Sequence, residues 1–424
     1  MPAPHALVLP RHLPVQLMAQ SSALLPHTSE AGGASRPEPI APELSVVMPC
    51  LNEVETLGTC IEKALRAMHA AAIHGEIVVA DNGSTDGSQA LAEALGARVV
   101  PVAARGYGSA LMGGIESARG RFIIMGDADD SYDFGEVPKF VEKLREGFQL
   151  VQGCRLPSGG GTVAPGAMPG LHRWWGNPMF SWMARTWFRA PIHDVYCGMR
   201  GFTAELYREL DQRCTGMEFA NEMVIKAALR RARITEVPIT LHRDGRSAHP
   251  PHLRTFRDGW RTLRFLLMYS PRWLYLLPGI ALGVLGLAGY VLALPRMRIH
   301  GVAFDVNTLL FGSLAIIAGY QSLLFGIFTK TFAVSEGLLP RDERVARLVS
   351  EAALQRWLIL GAVVMLAGIA LLASAVGQWY AAGFGDLEVR DTLRWVIPGV
   401  TLSTLGFQTI LSSFFLGILA LRRR

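Results

Sequence analysis

The chain has 424 residues, of which 50% are hydrophobic, with a formal net charge of +6 and a mean hydropathy of +0.27. These values exclude a single small soluble domain and indicate a soluble unit joined to a membrane unit. The five cysteines form no C-x-x-C pair, which argues against a zinc site or a disulfide framework, so we read them as reduced cytosolic residues.

Residues 1–42 are rich in Pro, Ala, Ser and His and have no sustained periodicity, so we predict a disordered extension there. Residues 43–250 alternate between short apolar strands and helical segments. This alternation predicts an α/β domain with a mostly parallel sheet and right-handed crossovers. The expected strands are 44–48, 76–80, 97–101 and 121–126, and the expected helices are 53–72, 88–96 and 108–119.

The motif Asp127-Ala128-Asp129 follows the last of these strands. A buried strand of a parallel sheet delivers the residues after it to the carboxyl edge, where open α/β folds bind ligands. Side chains two positions apart in an extended segment point the same way, so both carboxylates can bind one Mg²⁺ or Mn²⁺ that holds a diphosphate. A helix cap is the alternative explanation for a lone D-x-D motif.

The second half of the chain contains four apolar stretches long enough to cross a hydrocarbon core, at 273–294, 307–329, 357–376 and 395–420. We predict a membrane domain over 272–424, with buried helices of a large soluble core as the alternative. Lys and Arg are concentrated between the second and third stretches and at the C-terminus. This bias predicts that the N-terminal domain and the C-terminus lie on the cytoplasmic side.

Residues 251–271, between the two halves, have the pattern of an amphipathic helix. Arginines such as Arg257, Arg261 and Arg264 recur at three- and four-residue steps, with Trp260 and other apolar residues on the opposite face. A basic amphipathic stretch before a span is expected to lie in the membrane surface against anionic lipid. A solvated linker helix packed on the soluble domain is the alternative.

Further motifs link the N-terminal domain to a known family. In chain order they are Ser45-Val-Val-Met-Pro49-Cys-Leu-Asn52-Glu53, Asp81-Asn-Gly-Ser-Thr-Asp-Gly87, Gly126-Asp-Ala-Asp-Asp130, Val151-Gln-Gly-Cys-Arg155, Asp194-Val-Tyr-Cys-Gly-Met-Arg-Gly-Phe202, Met217-Glu-Phe-Ala-Asn-Glu222, Glu236-Val-Pro-Ile239 and Arg243-Asp-Gly-Arg-Ser247. Together they resemble glycosyltransferase family 2, which has a GT-A fold, and within it the polyprenyl-phosphate sugar synthases of the dolichyl-phosphate mannose and glucose synthase type. Two departures, Asp81-Asn82 for the usual "DDGS" and Cys154 for the serine of "GSR", are expected to bear on donor choice more than on activity.

The resemblance implies where a nucleotide-sugar donor would bind. Asp129 would be the direct ligand of Mg²⁺ or Mn²⁺, and Asp127 would lie closer to the ribose or to the water shell of the metal. An acidic helix N-terminus and a capped turn are the alternative explanations for the loops after the first two strands. The implied nucleotide contacts are Pro49, Asn52, Glu53, Asp81 and Asp127.

A lipid phosphate acceptor already carries a nucleophilic oxygen, so transfer needs positioning and charge neutralisation more than a strong base. The planar fork of arginine suits phosphate oxygens. The candidates for the acceptor phosphate are Arg155, Arg173, Arg243, Arg246 and Ser247. The residues expected to act in catalysis are Asp127, Asp129, Arg155, Arg243 and Arg246.

Two other segments are expected to serve the acceptor. The loop 158–170 is rich in glycine and proline and is predicted to be a lid over bound donor or acceptor, with a plain flexible loop as the alternative. Glu218 and Glu222 lie one helical turn apart. Glu222 is expected either to orient an acceptor group or an arginine, or to form a structural salt bridge.

We therefore expect a membrane-anchored, metal-dependent, inverting enzyme. It would transfer one hexose, glucose or mannose, from a UDP- or GDP-sugar to a polyprenyl phosphate of the undecaprenyl type at the cytoplasmic face of the membrane. No nucleic-acid partner is expected, and a homo-oligomer is left open.

Three other functions fit the sequence less well. A processive polysaccharide synthase normally shows Q-x-x-R-W, whereas this chain has Gln355-Arg356-Trp357 beyond two predicted spans. A non-catalytic membrane scaffold or lipid carrier with an inactive transferase domain is disfavoured by the intact Asp127 and Asp129. The segment Gly106-Tyr107-Gly108 lacks the third glycine of a dinucleotide-binding motif, which argues against an oxidoreductase.

Overall fold

The computed structural model describes residues 41–246, 255–337, 339–340 and 342–420. The predictions for residues 1–40, for Ser247, for the start of the amphipathic helix at 251–254 and for the C-terminal arginines lie outside the described residues.

One seven-stranded sheet organises the N-terminal domain, in the order β3-β2-β1-β4-β7-β5-β8. The strands up to residue 241 are β1 (Leu44–Cys50), β2 (Gly75–Asp81), β3 (Arg98–Pro101), β4 (Phe122–Met125), β5 (Leu150–Cys154), β6 (Thr162–Val163), β7 (Arg200–Thr203), β8 (Ile234–Pro238) and β9 (Thr240–Leu241). β1 pairs in parallel with β2 and β4, β2 with β3, and β5 with β8, which confirms the predicted mostly parallel sheet.

The strand β7 departs from the parallel pairing of the rest of the sheet. It lies between β4 and β5 and is antiparallel to both. The alternation of apolar residues did not predict it, because Arg200 and Gly201 interrupt the apolar pattern although both are buried. β6 and β9 form a separate short parallel pair.

Seven helices cover the two faces of the sheet. They are α1 (Val54–Ala70), α2 (Ser88–Ala94), α3 (Tyr107–Ser117), α4 (Val137–Arg145), α5 (Asn177–Phe188), α6 (Ala204–Leu210) and α7 (Glu218–Leu229). On one face α1 and α4 pack on the sheet, and the positions Leu57, Ile61 and Ala64 predicted for the apolar stripe of α1 are fully buried. On the other face α3, α5, α6 and α7 bury a second apolar cluster. These faces leave the ends of the strands available for a site.

The C-terminal part is helical. It contains α8 (Thr255–Tyr269), a π-helical turn at Arg272–Leu276, α9 (Leu277–Ala293), the hairpin strands β10 (Arg298–Ile299) and β11 (Val302–Ala303), α10 (Val306–Ser335), α11 (Glu343–Leu348), α12 (Glu351–Ala381) and α13 (Val389–Ala420). Among the residues that the structure describes, four segments are long and apolar enough to cross a membrane, which agrees with the four predicted spans. They are Arg272–Ala293, Val306–Ser335, Glu351–Ala381 and Val389–Leu419.

The amphipathic helix α8 connects the two parts. Phe265 and Leu266 are buried in the core of the N-terminal domain, whereas Phe256 is 86% exposed and Trp260 is 63% exposed. One side of α8 therefore packs on the domain, as the linker alternative expected, and the other side presents aromatic rings outward.

The membrane helices form two hairpins that are built alike. In the first, Gly279 of α9 faces Gly319 of α10, and Gly286 faces Gly312; in the second, Gly361 of α12 faces Gly406 of α13, and Gly368 faces Gly399. In each helix the two glycines are seven residues apart, so they lie on one side and let the backbones approach closely. A Cβ atom on Gly286 would lie 2.5 Å from the carbonyl oxygen of Gly312, and one on Gly368 would lie 2.7 Å from that of Gly399.

The two hairpins meet along α10 and α13, where polar side chains pair. The amide of Gln408 donates to Oε1 of Gln321 at 2.8 Å, and Thr401 donates to Ser313 at 2.9 Å. Residue numbers increase together along these pairs, so α10 and α13 run parallel. The second hairpin thus has the same glycine spacing as the first and runs in the same direction.

Candidate active site

The carboxyl ends of β2, β1 and β4 meet at one edge of the sheet. β1 ends at Cys50, just before Asn52 and Glu53, while β2 ends at Asp81 and β4 is followed by Asp127. β1 lies between the other two strands, and its register pairs Cys50 with Asp81. The structure therefore brings the three predicted donor motifs to the same edge.

Arg246 ties the aspartate motif to the first loop. Its Nη2 donates to Asp129 Oδ2 at 2.9 Å and to Asp244 Oδ2 at 2.6 Å, and its Nη1 donates to Glu53 Oε1 at 3.0 Å. Burial alone would lower the pKa of Arg246, but the three carboxylates raise it above its ordinary value. Arg246 therefore stays charged and neutralises acids that lie far apart in sequence.

A cleft of about 390 Å³ opens beside this ion pair network. It lies where the loop after β1 faces the turn after β2. Its lining residues are Asn52, Glu53, Val54, Glu55, Thr85, Asp86 and Arg246.

Asp127 is held from one side by a tyrosine. The hydroxyl of Tyr107 donates to Asp127 Oδ1 at 2.8 Å. Burial, and then repulsion by Asp129, raise the pKa of Asp127 to about 7, against the opposing effect of the tyrosine hydrogen bond. Gly198 lies beside the other oxygen, where a Cβ atom would be 2.8 Å from Oδ2. Gly198 therefore lets the backbone lie close against the carboxylate, where any side chain would clash with Asp127.

Asp81 organises the turn after β2. It accepts hydrogen bonds from the backbone N–H of Gly83 at 3.0 Å and from Gln89 Nε2 at 2.6 Å, and Ser84 N–H lies 3.2 Å from both of its oxygens. Burial would raise the pKa of Asp81, but these hydrogen bonds hold it below its ordinary value. Asn52, at the left-handed φ of 59°, accepts from Thr85 N–H at 2.8 Å. The two loops are thus joined into one surface.

Asn82, which departs from the family pattern, forms hydrogen bonds with three backbone groups. Its Nδ2 donates to the carbonyls of Val102 at 2.9 Å and Ala104 at 2.8 Å, and its Oδ1 accepts from Gly106 N–H at 2.9 Å. An aspartate could accept but could not donate. Asn82 therefore fixes the segment that leads into Tyr107 and α3.

The donor set suits a hard cation in part. Asp127 and Asp129 offer carboxylate oxygens, the ligand type that Mg²⁺ and Mn²⁺ prefer, and the two acids repel each other electrostatically. Within the part of the chain that the structure describes, no three His, Cys, Asp or Glu side chains gather closely enough to hold a metal ion. The aspartate pair fits a cation whose other ligands are supplied by a diphosphate and water.

Arg155 lies deeper than expected. Its Nε and Nη2 donate to the two oxygens of Asp194 at 2.7 and 2.9 Å, and its Nη1 lies 3.3 Å from the hydroxyl of Tyr132. The Arg155 side chain is 9% exposed and Asp194 is fully buried. This bidentate pair occupies the arginine fork, so the geometry favours a positioning role for Arg155 over direct contact with an acceptor phosphate. Binding of the acceptor phosphate by Arg155 remains a prediction.

The other two arginines lie near the loop 158–170. Arg243 is exposed, and its Nε donates to the carbonyl of Pro165 at 2.6 Å. Arg173 is half-buried, with its guanidinium 5.2 Å from the ring centre of Trp174. The loop, predicted as a mobile lid, is joined to the sheet region because β6 within it pairs with β9. Its opening and closing stay a prediction.

An exposed apolar surface follows this loop along the turn before α5 and the first half of that helix. Trp174 is 68% exposed and Trp175 is 73% exposed, whereas the last turn of α5 places Trp187 in a stack with Trp273, at 5.2 Å between ring centres. Trp273 belongs to the first candidate membrane segment. The members of this aromatic surface are Leu171, Trp174, Trp175, Met179 and Trp182.

Sequence reasoning missed Tyr107 and Gly198. Tyr107 stands in the Gly106-Tyr107-Gly108 segment, which was weighed only as a dinucleotide motif, and its contact with Asp127 spans 20 positions of sequence. Gly198 stands inside the Asp194–Phe202 motif, but nothing in that motif indicates that this glycine lies beside Asp127.

The chain was compared with known proteins. Residues 45–211 match the family described as glycosyl transferase family 2, and residues 327–420 match the glycosyltransferase family 2 C-terminal transmembrane region. The low-salt glycan biosynthesis hexosyltransferase Agl6 of Haloferax volcanii is 36% identical to this chain, and the match covers 94% of this chain and 94% of the length of Agl6. A dolichyl-phosphate hexose transferase of the same organism is 32% identical, and the match covers 46% of this chain and 82% of the length of that transferase.

Among solved structures, glucosyl-3-phosphoglycerate synthase from Mycobacterium tuberculosis, in complex with Mn²⁺ and UDP, is similar with a TM-score of 0.43 and 22% identity. The match covers 53% of this chain and 79% of that chain. The near full-length similarity to Agl6 and the two family matches in succession settle the classification. The chain belongs to glycosyltransferase family 2 and is a membrane glycosyltransferase with a GT-A-like domain followed by a helical C-terminal region.

Proposed function

We propose that this glycosyltransferase transfers a single hexose, glucose or mannose, from a UDP- or GDP-sugar to a polyprenyl phosphate at the cytoplasmic face of the membrane. The observation that carries the proposal is the pair Asp127 and Asp129 at the carboxyl edge of the sheet, in contact with the loop after β1 through Arg246. The names of the two Haloferax relatives support the choice of a hexose, and one of them supports a lipid phosphate acceptor.

The donor would bind across the strand ends. Asp81 accepts hydrogen bonds from its own turn and lies where the base or ribose would reach, while Asn52 and Glu53 line the adjoining cleft with Arg246. Pro49 lies in the last part of β1, opposite Ala80 of β2, and would shape the floor of this site.

The aspartate pair would hold the divalent ion that the diphosphate needs. A bound Mg²⁺ or Mn²⁺ would neutralise charge on the leaving diphosphate. Arg246, which already contacts Asp129, would add a second positive group near the same oxygens. Negative charge that develops on the diphosphate during transfer would thus be stabilised by positive groups already in place. Such electrostatic stabilisation is usually the largest single contribution to catalysis.

The acceptor phosphate supplies its own nucleophile. One of its oxygens would attack the anomeric carbon while the bond from that carbon to the diphosphate oxygen breaks, and the electron pair leaves with the nucleotide. A direct attack of this kind inverts the anomeric centre. No proton must be removed from an ionised phosphate, so the protein has to position the two partners and supply positive charge.

The position of the arginines supports an acceptor arriving from the membrane. Arg173 lies at the start of the aromatic surface, and Arg243 holds the adjoining loop at Pro165. Trp and Tyr favour the membrane–water interface, so the aromatic surface and the outer side of α8 would lie in it. The lipid would then reach the site without leaving the bilayer surface.

The charges of the membrane part support the cytoplasmic orientation. The end of α10 carries Lys330, which pairs with Asp342, and the connection from α10 to α12 carries Arg344 and Arg347. At the opposite end of the spans the arginines are paired with acids, Arg296 with Asp391 and Arg394 with Asp305. A bias in the number of Lys and Arg residues, whatever acids lie beside them, marks the cytoplasmic side.

Product formation by the purified protein tests the proposal. The protein would be incubated with polyprenyl phosphate and Mg²⁺ or Mn²⁺ against a panel of UDP- and GDP-hexoses, with a parallel series in EDTA. We expect one lipid-linked monosaccharide of inverted anomeric configuration, absent in EDTA. Nucleotide release without a lipid product would overturn the acceptor, growth of a polymer would favour a processive synthase, and full turnover in EDTA would overturn the metal requirement.

A further inference from the structure

The segment Gly106-Tyr107-Gly108 places a tyrosine on the aspartate motif. Tyr107 is the first residue of α3, and its hydroxyl donates to Asp127 Oδ1 at 2.8 Å. The other oxygen, Oδ2, lies against Gly198, where a Cβ atom would be only 2.8 Å away. Oδ1 of Asp127 therefore accepts from a protein donor, and the backbone of Gly198 packs closely beside Oδ2.

The glycines on both sides of Tyr107 fix its position. A Cβ atom on Gly106 would lie 2.6 Å from the carbonyl oxygen of Thr215, and Ser109 N–H donates to that oxygen at 3.2 Å. Gly108 is equally close to the backbone at Cys214. The start of α3 is thus pressed against the loop 211–216 in a way that a larger residue at either glycine would prevent.

That loop is in turn held from inside α7. Glu222 is fully buried, accepts from the backbone N–H groups of Arg213 at 3.0 Å and Cys214 at 2.8 Å, and pairs with Lys226 at 2.7 Å. Glu222 therefore forms the structural salt bridge, one of the two roles expected for it. The buried pair supports a loop whose other side supports Tyr107.

We propose that Tyr107 is a positioning residue for the metal–diphosphate site, a role that rests on the proposed function above. Its hydroxyl holds Asp127 in one rotamer, so that the orientation of the carboxylate is fixed before Mg²⁺ or Mn²⁺ and the nucleotide bind. Partners that hydrogen-bond a ligating carboxylate orient it and commonly change metal affinity by about 10–100-fold when removed. Tyr107 acts through Asp127 and needs no contact with substrate.

Binding of Mn²⁺ to the full-length purified protein tests this role directly. Free Mn²⁺ would be measured by electron paramagnetic resonance in a titration with saturating UDP or GDP, whichever the protein binds, and nucleotide binding without metal would be measured by calorimetry. Tyr107→Phe removes only the hydroxyl. We expect about tenfold weaker Mn²⁺ binding, with metal-free nucleotide binding within about twofold of the unaltered protein.

A matched control is Tyr207→Phe. Tyr207 is a tyrosine of α6 that stacks on Phe202 at 5.8 Å between ring centres, on the face of the sheet away from α1. Its hydroxyl loss should leave Mn²⁺ binding unchanged. A second test is the double variant Tyr107→Phe with Asp127→Asn, which should bind Mn²⁺ no more weakly than Asp127→Asn alone, because both changes remove one interaction.

The outcomes separate this inference from the function it rests on. Unchanged Mn²⁺ binding by Tyr107→Phe would overturn the positioning role while leaving the metal site in place. So would a double variant whose loss of Mn²⁺ affinity equals the product of the losses in the two single variants. An equal loss in Tyr207→Phe would point to general loosening of the domain and would also overturn it. Failure of the unaltered protein to bind Mn²⁺ with either nucleotide would overturn the metal-dependent function, and the role of Tyr107 with it.

Discussion

The buried pair of Arg155 and Asp194 should be among the contacts on which the stability of the catalytic domain depends most. Asp194 has no exposed surface. Its carboxylate accepts hydrogen bonds from three groups of Arg155, the backbone N–H at 3.0 Å, Nε at 2.7 Å and Nη2 at 2.9 Å. Asp194→Asn keeps the shape but places an amide N–H against the guanidinium and leaves the buried charge of Arg155 unpaired. Breaking such a pair costs about 3–5 kcal/mol, which corresponds to a midpoint lowered by roughly 6–20 °C for a domain of this size.

The control is an aspartate–arginine pair of the same kind at the surface. Arg213 and Asp211 are 51% and 63% exposed, and Asp211 has a left-handed φ of 48° that asparagine also tolerates. Asp211→Asn should cost less than about 1 kcal/mol. Thermal unfolding followed by tryptophan fluorescence in one detergent measures both variants. The double change Arg155→Met with Asp194→Leu should recover part of the loss, because no charge is then left unpaired.

Equal midpoints for Asp194→Asn and Asp211→Asn would refute this reasoning. So would a double variant less stable than Asp194→Asn, since that result would mean that the shape of the two polar groups matters more than their charges.

Three other changes test the site. Asp129→Ala should lower hexose transfer at least about 100-fold by removing a ligand for the cation, while the protein stays folded and in the membrane fraction; transfer above a tenth of the unaltered rate would count against the metal assignment. Because the pKa of Asp127 is raised to about 7, its carboxyl gains a proton as the pH falls below that value and can no longer ligate. Mn²⁺ affinity, corrected for Mn²⁺ binding by free UDP, should therefore fall about tenfold from pH 8 to pH 6, and a flat profile would contradict this. Asn82→Asp, which restores the usual family residue, should destabilise the domain by about 1–3 kcal/mol in thermal unfolding, because the carbonyls of Val102 and Ala104 lose their donor; an unchanged midpoint would refute the structural role of Asn82.

The sequence predicted those features that depend on short-range pattern. Alternation of apolar strands and helices gave β1, β2, β3 and β4, and the position of Asp127 after a buried strand placed it correctly at the sheet edge. The length of apolar stretches predicted the four candidate spans. In each case the physical cause acts within one element, so a single stretch of sequence contains the signal.

Contacts between distant segments could not be predicted in this way. Arg246 lies 193 positions from Glu53, and nothing in either motif says that the arginine would be shared among three acids. Arg155 was expected at the acceptor, but its depth depends on Asp194, which belongs to a later motif. The antiparallel β7 carries the fully buried Arg200, which donates to the carbonyl of Cys197 at 2.6 Å, so the usual link between charge and exposure fails there.

The two similarly built hairpins of the membrane part limit how the membrane anchor can change in length. A hairpin returns the chain to the side from which it set out, so gain or loss of a whole hairpin keeps the C-terminus on the same side as the catalytic domain. Because each hairpin closes its own glycine contacts, it can be added or deleted as a unit, provided that the contacts between hairpins, such as Gln321 with Gln408 and Ser313 with Thr401, are redesigned. The family match to the C-terminal transmembrane region begins at residue 327, near the end of the first hairpin. Anchors of one, two or three hairpins would then be variants of one plan, with an even number of crossings preserved throughout.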